Sequence, residues 1–169
     1  VAVGTEAARG LTKGFENVAI GSSAFMTAGE GTGNVAIGAR ALRGGEGVEL
    51  TENGLLAAEQ ECIDVVAVGR ESMLYSASST NTVAIGSKAL KSCVEGNRNV
   101  ALGYEAGRGC NTANNVYLGC KAGVATTGAD NVAIGYKAFE SPTAFSNCVV
   151  LGADAEPTRS NQVTIGGSH

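Results

Sequence analysis

Tryptophan is absent, and phenylalanine and tyrosine supply only four residues each to a chain of 169. A core built around large aromatic anchors is therefore excluded, and the interior has to be made of Val, Ile and Ala. Histidine occurs once, as His169 at the end of the sequence. A Ser–His–Asp arrangement would rest on that residue alone, so this kind of catalysis is set aside. The single His, the odd number of cysteines and the lack of a CxxC argue against a zinc site. No run of about 18 apolar residues marks a membrane helix, and no signal peptide is visible. The sequence starts at Val1, so missing targeting signals carry little weight. Long helices are excluded too. With 25 glycines, no stretch of about 15 residues keeps a helical apolar spacing uninterrupted. Those glycines have no three-residue period, which excludes collagen. The net charge of −4 argues against nucleic acid or an anionic membrane as partner.

What is present is a repeat. Val-x-(Ile/Val/Leu)-Gly recurs with its glycine at Gly4, Gly21, Gly38, Gly69, Gly86, Gly103, Gly119, Gly135, Gly152 and Gly166. Successive glycines lie 17, 17, 31, 17, 17, 16, 16, 17 and 14 residues apart. Four residues before the glycine stand Asn17, Asn34, Asn99, Asn115 and Asn131. Two residues after it the side chain is nearly always charged, and three after it is nearly always Ala.

β-Branched residues at period two read as a strand. The intervening Ala makes the opposite face apolar but thin, and a strand apolar on both faces is expected to be buried on both. One short strand per repeat, ending in Gly and a polar turn, predicts an all-β fold. It is a parallel β-solenoid (β-roll) of about ten coils of 16–17 residues, one domain over residues 1–169. The strand column runs through Val18, Ile20, Gly21, Val35, Ile37, Gly38, Val83, Ile85, Gly86, Val100, Leu102, Gly103, Val132, Ile134 and Gly135. The glycine answers either a turn with positive φ or a close backbone approach. The asparagines are expected to stack as a side-chain ladder along the axis. So narrow a coil leaves the Ala face, with Phe25, Leu42, Met73, Leu90 and Phe139, to be covered by association of several chains. Threefold symmetry is a natural closed arrangement, but the residues require a partner, not the number three.

The 31-residue gap holds "GGEGVELTENGLLAAEQECID". It reads as one coil with an insertion at about 45–63, a loop or short helix over "LLAAEQEC" that serves as a packing element or a receptor loop. Two coils, the first degenerate around Gly54, is the other reading. Cys93 and Cys110 each lie seven residues after a repeat glycine, so they should stack about 4.8 Å apart on adjacent coils. That suits a disulfide; two packed thiols is the alternative. Cys148 replaces a ladder asparagine, while Cys62 and Cys120 look unpaired. "GEGTGN" imitates a nucleotide-binding loop but precedes a strand instead of opening a helix, so the mechanism fails. Surface carboxylates such as Glu6, Glu71, Glu105 and Asp154 form no obvious catalytic pair. The charged column places some opposite charges on neighbouring coils, which contributes solubility more than stability. Tyr104 and Tyr136 share a column that Cys120 interrupts, so a stacked aromatic platform is broken.

The motif that reads "NVAIGSSAF" from Asn17 and "NVAIGYKAF" from Asn131 resembles the head repeat of trimeric autotransporter adhesins, the YadA-like head family. It looks even more like related repeats in phage and viral tail fibres. The resemblance covers nearly the whole chain. It implies a left-handed roll and three rolls packed side by side as a homotrimer, with the Val-x-Ile strands as the inner wall. Adhesin heads usually have a shorter repeat and rarely carry cysteine. Exported chains avoid free thiols, so the viral fibre is favoured. The implied function is a non-catalytic structural and attachment segment of a virion fibre, without cofactor or metal, that spaces or presents a host receptor-binding surface. Its partners would be itself and a host cell-surface receptor or glycan, with no nucleic acid and no membrane insertion. The alternative is an adhesin head on the bacterial cell surface that binds host matrix or glycans. The ending "SNQVTIGGSH" resembles the segment before the self-cleaving chaperone of phage fibres, which would make His169 a processed end. An arbitrary boundary is the other reading. The ligand-binding residues stay unknown at this level.

Overall fold

The computed structural model describes residues 1–26, 29–44 and 61–167. Among the described residues there are thirteen short strands and no helix. In chain order they are β1 (Ala2–Val3), β2 (Val18–Ile20), β3 (Glu30–Thr32), β4 (Val35–Ile37), β5 (Glu61–Ile63), β6 (Val66–Val68) and β7 (Ser79–Thr80). Then follow β8 (Val83–Ile85), β9 (Val100–Leu102), β10 (Val116–Leu118), β11 (Val132–Ile134), β12 (Val149–Leu151) and β13 (Val163–Ile165). Ten of them, one per repeat, form a single sheet in the order β1-β2-β4-β6-β8-β9-β10-β11-β12-β13, and β3-β5-β7 form a second. Every pairing is parallel and joins equivalent repeat positions, as in Val18↔Val35 and Ile85↔Leu102. This is a parallel β-solenoid of about nine turns, roughly 45 Å long at about 4.8 Å per strand.

The strands on either side of the long gap are neighbours in the sheet. β4 pairs directly with β6, Val35 opposite Val66, so across the 31-residue spacing of their glycines no other described strand comes between them in this sheet. Glu61–Ile63, at the end of the segment read as an insertion, is strand β5 between β3 and β7. The helix expected over "LLAAEQEC" falls otherwise on residues 45–60, outside the described residues, as does His169.

The expectation that other chains cover the Ala face is overturned. The central residues Ala19, Ala36, Ala67, Ala84, Ala101 and Ala133 are buried within the single chain, together with Phe25, Leu42, Met73, Leu90 and Phe139. The Ala face is therefore the solenoid's own interior and needs no partner. The Val and Ile side chains point the other way, and within the single chain this face is only partly buried. Ile20, Ile37, Ile85, Leu102 and Ile134 remain 37–41% exposed.

The large interior side chains sit four residues after the glycine, at φ of 47–57°. An L-residue there costs about 1–2 kcal/mol, offset by about 1.5–3 kcal/mol for burying the side chain. Bulk from this corner fills the interior, so the facing strand position has to be small. One coil swaps the two roles. Tyr117, at the centre of β10, is fully buried, and the corner positions beside it are Gly107 and Gly123. A Cβ at Gly107 would lie 2.6 Å from the Tyr117 ring, and one at Gly123 would overlap it.

The repeat glycine meets both proposed requirements. Gly21 has φ +130, and a Cβ there would stand 2.6 Å from the Gly38 carbonyl oxygen of the next coil. Stacked turns approach too closely for any side chain.

Candidate functional site

The asparagine column is a ladder, but not of stacked amides. Each side-chain carbonyl accepts the N–H of the same position one coil on. Asn17 Oδ1 accepts from Asn34 N (3.0 Å), Asn99 from Asn115 N (2.8 Å), Asn115 from Asn131 N (3.0 Å) and Asn131 from Cys148 N (3.0 Å). The amide then donates to another backbone carbonyl of that next coil: Asn34 to Cys62 O (2.6 Å), Asn99 to Thr112 O (2.8 Å) and Asn131 to Phe145 O (2.9 Å). Asn115 instead donates to Ala113 O in its own coil. The ladder is thus a side-chain repair of backbone groups that the narrow turn leaves unpaired. Thr82 does both jobs less well, donating to Gly96 O (3.2 Å) and accepting from Asn99 N (3.4 Å). Cys148 keeps the donor half, Sγ to Arg159 O at 3.3 Å.

A second ladder went unread in the sequence. One position earlier, Asp64, Asn81, Arg98, Asn114, Asp130, Asn147 and Asn161 all have φ of 51–63°. Their exposed side chains link coil to coil, as in Arg98 to Asn114 (2.8 Å) and Asn114 to Asp130 (2.9 Å). The signal was the residue type: Asn and Asp tolerate the left-handed region best among residues with a side chain.

Cys93 and Cys110 are buried free thiols. Val94 N donates to Asn111 Oδ1 (2.8 Å), which sets the two cysteines on adjacent coils. A hydrogen bond from Cys93, together with the Tyr117 hydroxyl at 3.4 Å, outweighs burial and pulls the Cys110 thiol below the ordinary thiol range. That bond to Cys110 and then burial push Cys93 up. Burial likewise raises Cys62. Cys120 is half-buried.

Two surface features stand out on the solenoid. The first is the outward face of the ten-strand sheet, an apolar stripe of Val, Ile and Leu extending from Val3, which is exposed, to Ile165, exposed as well. Tyr104 and Tyr136, both exposed, border it just past the glycines.

The second is the shoulder formed by the five residues after each glycine. From the coil of Gly38 to that of Gly135 these shoulders hold Arg40, Arg43, Arg70, Lys88, Lys91, Arg108, Lys121 and Lys137 against Glu71, Glu105 and Glu140. Glu71 reaches Lys91 at 2.9 Å and Arg40 and Arg70 at 3.7 Å. Glu105 reaches Arg108 at 3.3 Å and Lys88 at 3.6 Å. The Lys91 hydrogen bond, against burial and with the nearby cations, holds Glu71 below the ordinary carboxylate range. Burial alone would raise Glu105; the Tyr104 hydroxyl, Arg108 and Lys88 outweigh it and the carboxyl is lowered. Lys88 and Lys137 also lie 5.9 and 5.7 Å from the centres of the Tyr104 and Tyr136 rings.

An open groove of about 200 Å³ lies on the second sheet, lined by Lys13, Phe15, Glu30, Thr32 and Glu61, with Lys13 and Glu30 paired at 2.8 Å. Among the described residues no group of three or more His, Cys, Asp or Glu could hold a metal, and no helix is long and apolar enough to cross a membrane. No family model, no curated protein and no solved structure matches the chain.

Proposed function

We propose that this chain is a non-catalytic structural and attachment segment that works as a self-associated rod, a homotrimer of left-handed β-rolls in a viral or phage fibre. The observation that carries the reading is the outward apolar stripe. Monomeric soluble proteins rarely leave so continuous an apolar surface in water, and such surfaces mark protein contacts. A stripe running along a rod is best covered by other copies of the same rod about a common axis. The resemblance of the NVAIGxxA motif to fibre and adhesin repeats supports the number three. Four buried free thiols favour assembly in a reducing compartment over export.

The test is the mass in solution by light scattering. A trimer is expected at three times 16.9 kDa. A well-folded monomer overturns self-association, and a stable dimer overturns the threefold arrangement. The double variant Ile85→Asp, Ile134→Asp should release monomers that keep their β-sheet signal, because both residues point outward and neither holds the interior.

A further inference from the structure

We propose that the cationic shoulder is a docking track for an acidic polysaccharide, a linear chain of sulfated or uronic sugars lying along the solenoid axis. The first support is charge segregation. Six consecutive shoulders carry eight of the chain's twelve Lys and Arg but three of its sixteen Asp and Glu. A protein of net charge −4 thus concentrates a surplus of five positive charges on one ridge. The ridge stops at the coil of Gly152, whose shoulder carries Asp154 and Glu156.

The second support is depth. The Glu71 and Glu105 side chains are only 11% and 8% exposed, whereas those of Arg40, Arg70 and Arg108 are 49–62% exposed. Sunken carboxylates hold the cations from below, so an approaching polymer meets positive charge. Two carboxylates organise five cations, which limits the side-chain entropy lost when an anion binds. The third is shape. The track crosses six coils, roughly 24 Å, and is open along its length. A small ligand needs a concave pocket, whereas a polymer can gather many weak contacts along a ridge. Tyr104 and Tyr136 are exposed beside the cations, each with a lysine ammonium over its ring, and add aromatic surface for a sugar to rest against.

Nucleic acid fits less well. A duplex is wide and densely charged, and the acidic remainder of the chain would repel it around so narrow a ridge. The ridge lies within one copy, so the proposal goes beyond the self-association reading and does not depend on it.

The experiment measures binding of the full chain, in its native oligomeric state, to heparin as a sulfated probe and to polygalacturonate as a uronate probe. Duplex DNA is measured at the same salt. Binding to at least one polysaccharide is expected. Arg70→Glu combined with Lys121→Glu should weaken it on the order of tenfold or more. Glu is tolerated two residues after the glycine, the position of Lys121, as Glu71 and Glu105 demonstrate, and the Arg70 side chain is 62% exposed. Arg159→Glu, an exposed cation away from the ridge, should change binding little. If the double variant fails to fold, Lys88→Ser with Lys121→Ser, following Ser23 in the same column, takes its place. Three results would overturn the proposal: no binding to either polysaccharide at low salt, equal weakening by Arg159→Glu, or tighter binding to DNA than to both. Light scattering on the same samples reports self-association separately, so the two readings can fail independently.

Discussion

Asn131→Ala tests the ladder most directly. The wild-type side chain accepts from the buried Cys148 N–H at 3.0 Å and donates to Phe145 O at 2.9 Å. Truncation leaves both backbone groups of the next coil unpaired. A buried donor or acceptor without a partner costs about 1–3 kcal/mol. The variant should therefore lose about 2–6 kcal/mol, less whatever water can recover at the Phe145 end. Asn131→Thr provides the internal scale, because Thr82 makes the same two contacts at 3.2 and 3.4 Å. It should lose about half as much. Urea unfolding gives the total. Native-state hydrogen exchange gives the place, with protection falling at Cys148 N–H and its neighbours before it falls at distant coils, since a solenoid couples only adjacent repeats. A loss below about 0.5 kcal/mol for Asn131→Ala, or equal losses for Ala and Thr, would refute the idea that the column repairs the turn's backbone.

Three further outcomes are expected. Gly38→Ala should destabilise by about 2–4 kcal/mol, since φ is +129 and its Cβ would stand 2.7 Å from the Gly69 carbonyl. Gly166→Ala, with φ +83 and open space, should cost only about 1–2 kcal/mol, and equal shifts in urea midpoint would sink the close-approach argument. Glu71 and Glu105 are both lowered in the folded state. Their contribution is thus present above the unfolded carboxylate pKa of about 4.3 and lost as pH falls through the folded values. The urea midpoint should drop on acidification below about pH 5, and less steeply in Glu71→Gln; an identical slope in the variant would contradict the assignment. In native protein a thiol reagent should modify Cys120 first, the other four cysteines being buried. Mass spectrometry finding early modification of Cys93 or Cys110 would contradict their burial.

Much of the fold was legible because the repeat is dense. The asparagine column was visible by residue type, but its bonding was not: a column of identical amides suggests amide stacking, and only the coil geometry reveals the unpaired N–H and C=O that the side chains reach. The left-handed ladder through Asp64, Asn114 and Asn147 was readable in principle from its Asn and Asp content. The cationic ridge was hidden by reading the charged column singly. Its sign emerges only when Arg70, Lys91 and Arg108 from neighbouring columns are brought onto the same shoulder and the glutamates sink beneath them.

The sequence by itself determined the parallel, in-register stack. Val-x-Ile-Gly at a nearly constant interval pairs each strand with its copy, and a glycine at every turn is what lets the turns stack so closely. Which strand face lies inside was decided only by the tertiary structure. A period of two separates Val and Ile from Ala but is silent about direction. The corner decides it: left-handed backbone at Phe25, Leu42, Met73, Leu90 and Phe139 carries large side chains across the interior, so the strand centre is small, as at Ala19, Ala36, Ala67, Ala84, Ala101 and Ala133. Where the strand centre is Tyr117, Gly107 and Gly123 stand at the corners, as the same volume constraint requires.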